Sequence, residues 1–338
     1  PEPSTVDPCP PPTRRDELVE TLHGHAVADP YRWLEAPATD PELSAWVRRQ
    51  ADCTEEALSQ LPARDAFRDH LAELWDHPRR GAPWRRGDSW FQLANDGQQD
   101  QDVLWTAPAV TDADRATVPE ADTWRVLIDP NAWTDDGTAS LTGLAVTEDG
   151  RRAAFARSDA GSDWLTWRVV DVANDQVLED EVRWSKFSTA AWLPSGEAFI
   201  YGAYEPPEDD QRFAAANREQ QLRLHTLGTA QSEDQLVYAR PDHPDWIFAP
   251  QVSHDGRWLV ISVMRGTDPN NRLHVAPIED SSIGEVRPLL DTGDAEYVPL
   301  GVVGDDVVLR TDNNAPLGRI VTVDLTGAGA LRELVPMG

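Results

Sequence analysis

A plan of about 50 residues recurs along most of this chain and constrains its fold more than any other feature. Each copy has a turn containing glycine, an apolar run, a polar loop and a second apolar run. The turns fall near Gly150, Gly196, Gly256 and Gly304, and "RRGDSWFQLANDGQQDQDVLWTAP" forms an earlier copy. Because a four-stranded antiparallel sheet with its turns occupies about this length, the repeat predicts a mainly β fold of about five β-propeller blades. An irregular β-sandwich is the alternative.

The residues that precede the repeat follow a helical period instead. Leu43, Trp46 and Val47 recur at spacings of three and four residues, and a second such set follows after a proline. Apolar residues at this spacing form one face of a helix. We therefore expect two amphipathic helices between Asp40 and about Trp75.

These changes of pattern divide the chain into three parts. Residues 1–12 are rich in proline and should form an extended, poorly ordered lead-in. Residues 13–77 form the N-terminal helical extension, and residues 78–338 carry the propeller blades.

The charge of the chain excludes one class of partner. The sequence has 59 Asp and Glu against 30 Lys and Arg, a net charge of -29, and Lys186 is its only lysine. A nucleic-acid surface needs a positive footprint, so we expect no nucleic-acid partner. The sequence also lacks an apolar run of about 18 residues, so we expect no membrane-spanning helix.

Neither the cysteines nor the acidic pairs indicate a cofactor or a metal. Cys9 and Cys53 lie outside any CxxC motif or Cys/His cluster, and we expect both to be incidental. Asp135 and Asp136 stand beside a glycine, where aspartates accept backbone hydrogen bonds in turns. The expectation is therefore that the chain holds no cofactor and no metal ion.

The histidines favour surface or structural roles over catalysis. His23 and His25 flank a glycine in a loop, and His225 and His274 lie in strand-like runs. A histidine base needs a hydroxyl or thiol within its reach, and no serine or cysteine stands at a defined spacing from them.

Several segments together carry a specific resemblance. "HGHAVADPYRWLE" is followed by "WVRRQ", and then by "LIDPNAWTDDGTASL", "VRWSKFSTAAWLPSGEAFIY" and "SHDGRWLVISVMRGTDPNNRLHV". In their order and spacing these segments resemble the N-terminal signature and the propeller of the prolyl oligopeptidase (prolyl endopeptidase) family of serine peptidases. The likeness runs from about Thr13 to the C-terminus.

The resemblance implies an enzyme that cleaves short peptides on the carboxyl side of proline. In the family, the N-terminal extension packs on a C-terminal α/β-hydrolase domain, and a seven-bladed propeller covers the active site. The nucleophile there stands in a Gly-x-Ser-x-Gly turn, followed by Asp and then His. This sequence contains no Gly-x-Ser-x-Gly segment. We therefore expect an incomplete propeller, no catalytic residue in this chain, and two kinds of partner, namely short proline-containing peptides and a hydrolase domain or chain.

Four positions match family residues one by one. Phe187, in "WSKFS", matches an aromatic that lines the subsite for the residue two before the scissile proline; the alternative is a blade-core phenylalanine. Ile247 and Thr267 match the other two apolar positions of that pocket. Asp163, in "GSDW", matches an acidic residue that pairs toward the catalytic domain. The alternative function is a non-catalytic propeller that binds a protein or peptide partner.

Overall fold

The chain divides into a small N-terminal unit and a larger unit. The computed structural model describes residues 9–10, 12–37, 39–109, 117–207, 216–327 and 329–338. The smaller unit comprises Pro1–His77 with Pro207–Ala216, and the larger one comprises Pro78–Pro206 with Asn217–Gly338. Most of the expected lead-in, residues 1–12, lies outside the described residues.

The smaller unit contains a hairpin and the two expected helices. Its elements are β1 (Val19–Leu22), β2 (His25–Ala28), a 3-10 turn (Arg32–Glu35), α1 (Pro41–Ser59) and α2 (Arg64–Trp75). Asp40 caps α1, since its Oδ1 accepts the Leu43 N–H at 2.8 Å, and Pro41 occupies the first turn, where its missing N–H costs nothing. Both helices are confirmed, and neither is long and apolar enough to cross a membrane.

The run "DPYRWLE" is a packing element of this unit. Trp33 stands edge-to-face against Trp46 of α1, with ring centroids 6.1 Å apart. Its indole N–H donates to the Arg14 carbonyl at 3.0 Å, and the Trp46 indole donates to Thr13 Oγ1 at 3.0 Å. The tryptophans therefore fasten the chain before the hairpin to α1.

A disulfide joins Cys9 to Cys53 and corrects the expectation that both cysteines are incidental. Their Cα atoms lie 5.6 Å apart, although 44 positions separate them in sequence. The bond ties the first described residues to α1. Spacing along the chain could not reveal it, because two distant cysteines pair only where the fold brings their Cβ atoms together.

The larger unit is built from β-strands. In chain order they are β3 (Arg79–Arg80), β4 (Trp84–Arg86), β5 (Ser89–Asn95), β6 (Val103–Pro108), β7 (Arg125–Ile128), β8 (Ala139–Val146), β9 (Arg152–Asp159), β10 (Leu165–Asp171), β11 (Gln176–Ser185), β12 (Ala191–Trp192), β13 (Ala198–Ala203), β14 (Gln221–Thr226), β15 (Gln235–Ala239), β16 (Trp246–Val252), β17 (Trp258–Arg265), β18 (Arg272–Glu279), β19 (Ser282–Ile283), β20 (Arg287–Leu290), β21 (Tyr297–Val303), β22 (Asp306–Thr311), β23 (Arg319–Asp324) and β24 (Leu331–Val335).

Within the described residues these strands form five consecutive antiparallel blades, which confirms the mainly β class. Blade 1 is β3 to β7, blade 2 is β8 to β11, blade 3 is β12 to β15, blade 4 is β16 to β20 and blade 5 is β21 to β24. Consecutive strands pair with each other, as in the up-and-down sheets of a propeller. Blades 2 and 3 are additionally joined where Ser185 pairs with Ala203.

The core lies between neighbouring blades. In β9, Ala154 and Ala156 pack toward blade 3, whereas Ala153 and Phe155 pack toward blade 1. Successive side chains of a strand point to opposite faces, so a strand with two buried faces must be apolar at nearly every position. Four such clusters fill the four junctions between the five described blades.

The glycine turns pack closely at one end of the blades. Gly150 has φ of +73°, and a Cβ added to it would lie 2.2 Å from the Arg86 carbonyl oxygen of blade 1. Gly228 has a similar φ of +79°, but no described atom lies within 4 Å of its Cβ position.

We expect Gly150→Ala to lower the free energy of unfolding by about 2 to 3 kcal/mol, since a left-handed alanine and a backbone clash add. Gly228→Ala should lower it by only about 1 kcal/mol, because the backbone strain acts alone there. Urea unfolding followed by tryptophan fluorescence measures both variants. Equal losses would show that contact between the turns does not matter.

Candidate functional site

The blades have two distinct ends. The first strand of each blade runs toward a tight turn. These turns lie at residues 85–88, 148–150, 194–196, 254–256 and 304–305. We call this end the turn face. Because strands alternate in direction, the other end carries the loops between second and third strands and the connections from blade to blade. We call this end the loop face.

All four residues predicted from the resemblance lie on the loop face. Asp163 lies in the β9–β10 loop, and Phe187 lies in the connection from β11 to β12. Ile247 is the second residue of β16, and Thr267 lies in the loop after β17. Asp163 and Thr267 are exposed and Ile247 is half-buried. The alternative for Phe187, a blade-core side chain, disagrees with its 43% exposure.

The connection that carries Phe187 has an unusual backbone. Trp184 and Phe187 have φ of +61° and +51°, the left-handed region that bulky residues rarely adopt. Each such residue costs about 1 to 3 kcal/mol and persists only where its surroundings fix it. Between them lies Lys186, the only lysine of the chain, with 7% exposure.

Lys186 is held by aromatic and polar groups. Its Nζ lies 3.8 Å from the centroid of the Trp164 ring and donates to Asn217 Oδ1 at 3.0 Å. Burial lowers the pKa of Lys186, and the negative charge of Asp163 opposes that shift. The charge of Asp163 therefore stabilises the ammonium form of Lys186, the residue directly before Phe187.

The same connection is tied to the first strand of blade 4. Ser188 Oγ donates to the Phe248 carbonyl and Thr189 Oγ1 to the Pro250 carbonyl, each at 3.2 Å. Their hydroxyls thus hold the backbone in place. Exposed aromatic surface, a half-buried isoleucine and a buried cation can bind and orient a peptide, but they do not form a nucleophile and base.

A cavity of about 830 Å³ runs along the first strands of all five described blades. It is lined from Trp84 in β4 through to Val302 in β21. At the turn face, Glu148 of blade 2 pairs with His254 of blade 4, Oε2 to Nδ1, at 2.7 Å, and lies 3.7 Å from Arg86 of blade 1. These three polar side chains link blades 1, 2 and 4 beside the cavity.

A buried network on the side of blade 3 contains His225, one of the histidines for which the sequence favours a surface or structural role. The two ring nitrogens of His225 face carboxylate oxygens: Nδ1 lies 2.8 Å from Asp234 Oδ1, to which it donates, and Nε2 lies 3.2 Å from Asp180 Oδ1. The Tyr201 hydroxyl donates to Asp234 Oδ2 at 2.7 Å. This arrangement agrees with the expected structural role of the histidines. Among the described residues no group of His, Cys, Asp and Glu is arranged to hold a metal ion.

Sequence reasoning predicted Phe187 as a site residue but missed the groups that hold its connection in place. The one signal in the sequence is that the only lysine stands within "RWSKFS", but this does not identify the ring that it contacts. Trp164 and Asn217 come from other loops, so no spacing rule connects them to Lys186.

The comparisons with known proteins agree with the blade architecture. The family model described as prolyl oligopeptidase, N-terminal beta-propeller domain, matches residues 10–337. Prolyl endopeptidase from Elizabethkingia miricola is 30% identical over 311 residues, which cover 92% of this chain and 42% of that protein. Prolyl oligopeptidase A from Galerina marginata is also 30% identical, over 96% of this chain and 47% of that protein.

Solved structures give the same result. One, from a study of two prolyl endopeptidases and the role of inter-domain dynamics in catalysis and specificity, has 39% identity and a TM-score of 0.70, covering 97% of this chain and 46% of that chain. Prolyl oligopeptidase B from Galerina marginata, bound to a 25mer macrocyclization substrate, has 28% identity and a TM-score of 0.81 over 97% of this chain and 48% of its own.

The chain thus spans about half the length of the relatives it matches. Those relatives are prolyl endopeptidases and oligopeptidases, and the family model covers almost every residue. Together with the five described blades, these matches show that the chain belongs to the prolyl oligopeptidase family, as its N-terminal β-propeller domain.

Proposed function

We propose that this chain is the propeller part of a prolyl oligopeptidase-type serine endopeptidase that cleaves short peptides after proline. The observation that carries the proposal is the grouping of Phe187, Ile247, Thr267 and Asp163 on one face of the blades. In this proposal Phe187, Ile247 and Thr267 line the subsite for the residue two before the proline. The nucleophile, acid and base come from a hydrolase domain or chain.

Peptide binding by related proteins supports the substrate class. Prolyl oligopeptidase B from Galerina marginata has been solved with 25mer and 35mer substrates, and this chain matches it with TM-scores of 0.81 and 0.80. The half-exposed ring of Phe187 offers apolar surface for such a peptide. Asp163, close to the Lys186 cation, would face the catalytic part.

The propeller would also restrict access to the active site. The cavity along the first strands has a volume of about 830 Å³, far smaller than a folded domain, so in this proposal only short peptides would occupy it. The polar side chains of Arg86, Glu148 and His254 stand beside its turn-face end, where they would hinder entry from that side.

The N-terminal helices would supply the contact with the hydrolase domain. On α2, four apolar side chains at helical spacing are more than half exposed, namely Phe67, Leu71, Leu74 and Trp75. An apolar stripe of this kind normally packs against another element. In this proposal the hydrolase domain covers it.

We expect Phe187→Ala to weaken binding of a proline peptide about tenfold, since the lost contact area of a ring corresponds to about 1.4 kcal/mol or more. The probe is fluorescein-labelled Gly-Phe-Gly-Pro-Ala, which places an apolar residue two before proline, and the readout is fluorescence polarisation. Leu236→Ala, an exposed apolar position on the outer strand β15, is the matched control and should leave the affinity unchanged.

Two measurements test the proposal that the catalytic residues come from a hydrolase domain or chain. Residues 1–338 alone should not hydrolyse a chromogenic proline peptide; turnover that resists a serine-directed inhibitor would contradict the peptidase assignment. The intact mass of the protein in its source should exceed 37.5 kDa and the sequence should continue to a Gly-x-Ser-x-Gly segment. A mass of 37.5 kDa with no copurifying chain would favour a non-catalytic binding module instead.

A further inference from the structure

One buried amide connects the two main walls of the proposed subsite. Gln220 directly precedes β14 and is 1% exposed. Its Nε2 donates to the Lys186 carbonyl at 2.8 Å, and its Oε1 accepts the Phe248 N–H at 2.5 Å. The first bond lies one residue before Phe187, and the second lies one residue after Ile247.

Both bonds act on backbone groups that have little freedom to find other partners. A buried carbonyl or N–H without a partner costs about 1 to 3 kcal/mol. Phe187 has φ of +51°, so its conformation depends on the groups that hold the connection in place. The planar amide of Gln220 donates to the connection that carries Phe187 and accepts from β16. Because one rigid group makes both bonds, it sets the distance between the two backbones.

The surrounding packing leaves room for this amide and little else. Gly202 lies beneath it, and a Cβ added there would lie 2.8 Å from Gln220 Nε2 and 2.6 Å from Ser188 Cβ. Ser188 in turn donates to the Phe248 carbonyl at 3.2 Å. The side chains of Gln220 and Ser188 therefore hold Phe248 from both its N–H and its carbonyl.

We propose that Gln220 is a positioning residue that fixes Phe187 relative to Ile247 and so sets the width of the subsite. It acts through the backbone of these residues and does not itself contact the peptide. This inference rests on the proposed function for its effect on binding, but its geometric part does not.

The geometric part is tested by fluorine NMR. The seven phenylalanines are replaced by 4-fluorophenylalanine, and the Phe187 signal is identified by its absence in Phe187→Leu. Gln220→Met keeps the length of the side chain but has no amide, and should shift and broaden the Phe187 signal. Gln221→Met, at the next position, should not. A folded Gln220→Met protein with an unchanged Phe187 signal would overturn the proposal.

The effect on binding is tested by a double-mutant cycle with the same labelled peptide. Gln220→Met should weaken binding about fivefold to tenfold in the wild-type background, but less than about twofold in Phe187→Ala, because its effect passes through Phe187. A purely structural defect would add equally in both backgrounds and would refute the positioning role. If wild type and all variants bind no peptide, the proposed function fails, and the binding role of Gln220 fails with it. The NMR experiment still decides whether Gln220 positions Phe187.

Gln220→Glu provides a second variant with nearly unchanged size. As a carboxylate the new side chain cannot donate to the Lys186 carbonyl, whereas the protonated acid can. Burial raises the pKa of this carboxyl group and the ammonium group of Lys186 lowers it, so the Phe187 signal and the peptide affinity should recover toward wild type only when the pH falls far enough to protonate it. Gln221→Glu should show no such recovery. If the Phe187 signal and the peptide affinity of Gln220→Glu did not change with pH either, the hydrogen-bonding role of Gln220 would be contradicted.

Discussion

Asp234→Asn should lower the free energy of unfolding of the larger unit by about 3 to 5 kcal/mol, the loss found when one partner of a buried charge pair is removed. Asp234 accepts hydrogen bonds from the Tyr201 hydroxyl at 2.7 Å and from His225 at 2.8 Å. Both partners are almost fully buried, so water cannot replace the carboxylate. Urea unfolding followed by tryptophan fluorescence measures the loss.

The neighbouring residue provides the control. Glu233 is exposed and ends the 3-10 turn Gln231–Glu233, directly before Asp234. Glu233→Gln makes the same change of acid to amide, and should alter stability by less than about 0.5 kcal/mol. Similar losses for both variants would show that the buried network contributes no more than a surface charge.

The dependence of this loss on pH follows from His225. Burial by itself lowers the pKa of His225, but the hydrogen bonds and charges of Asp234 and Asp180 outweigh it and raise the pKa above its usual value of 6.5. A raised pKa in the folded state stabilises the protein below the unfolded pKa, and this contribution is lost as the pH rises through the folded pKa. The difference between wild type and Asp234→Asn should therefore shrink above about pH 6.5. A constant difference up to pH 9 would contradict the charged state of His225.

Breaking the Cys9–Cys53 disulfide should destabilise the smaller unit by about 4 kcal/mol, the chain-entropy value for a loop of this length. The bond closes a loop across 44 positions and ends within α1. Hydrogen exchange measured by mass spectrometry should show protection of α1 falling about a thousandfold in Cys53→Ser, since each 1.4 kcal/mol is a factor of ten. The strands of the larger unit should exchange as in wild type.

The reduced protein serves as a second route to the same state. Dithiothreitol should loosen α1 in wild type to the level of Cys53→Ser, and should have no further effect on that variant. Unchanged protection of α1 after complete reduction, verified by thiol labelling, would mean that the bond stabilises nothing. Thr54→Ser, one position along α1, controls for substitution within the helix.

The number and nature of the blades could be predicted because both faces of each blade are buried. In runs such as "AAFARS" and "WLVISVM", successive side chains belong alternately to the hydrophobic clusters on the two sides of the blade. Both the strand period and the high apolar content are therefore visible in the sequence. Glycine marks each tight turn because its positive φ is needed there, as at Gly150. The helices were equally visible, since Asp40 and Pro41 mark the start of α1.

The candidate site could be predicted only in part. Phe187 was predicted from a short matched segment, and its role stays a prediction; its position on the loop face follows from the strand order. The groups that fix it, Lys186 on Trp164 and Gln220 between two backbones, come from separate blades. No pattern along the chain describes a contact between residues that are 22 to 34 positions apart.

The sequence by itself determined that this protein repeats an antiparallel four-stranded unit and that two helices precede it, because period and turn residues are local properties. Its net charge of -29 is an additive property of the composition, and the absence of a nucleic-acid partner stays a prediction from it. Only the tertiary structure decided that Cys9 bonds to Cys53, that His225 lies between two carboxylates and that Gln220 joins the backbones beside Phe187 and Ile247. Each of these depends on distances of a few ångströms between distant segments, and these distances exist only after the blades and helices have packed.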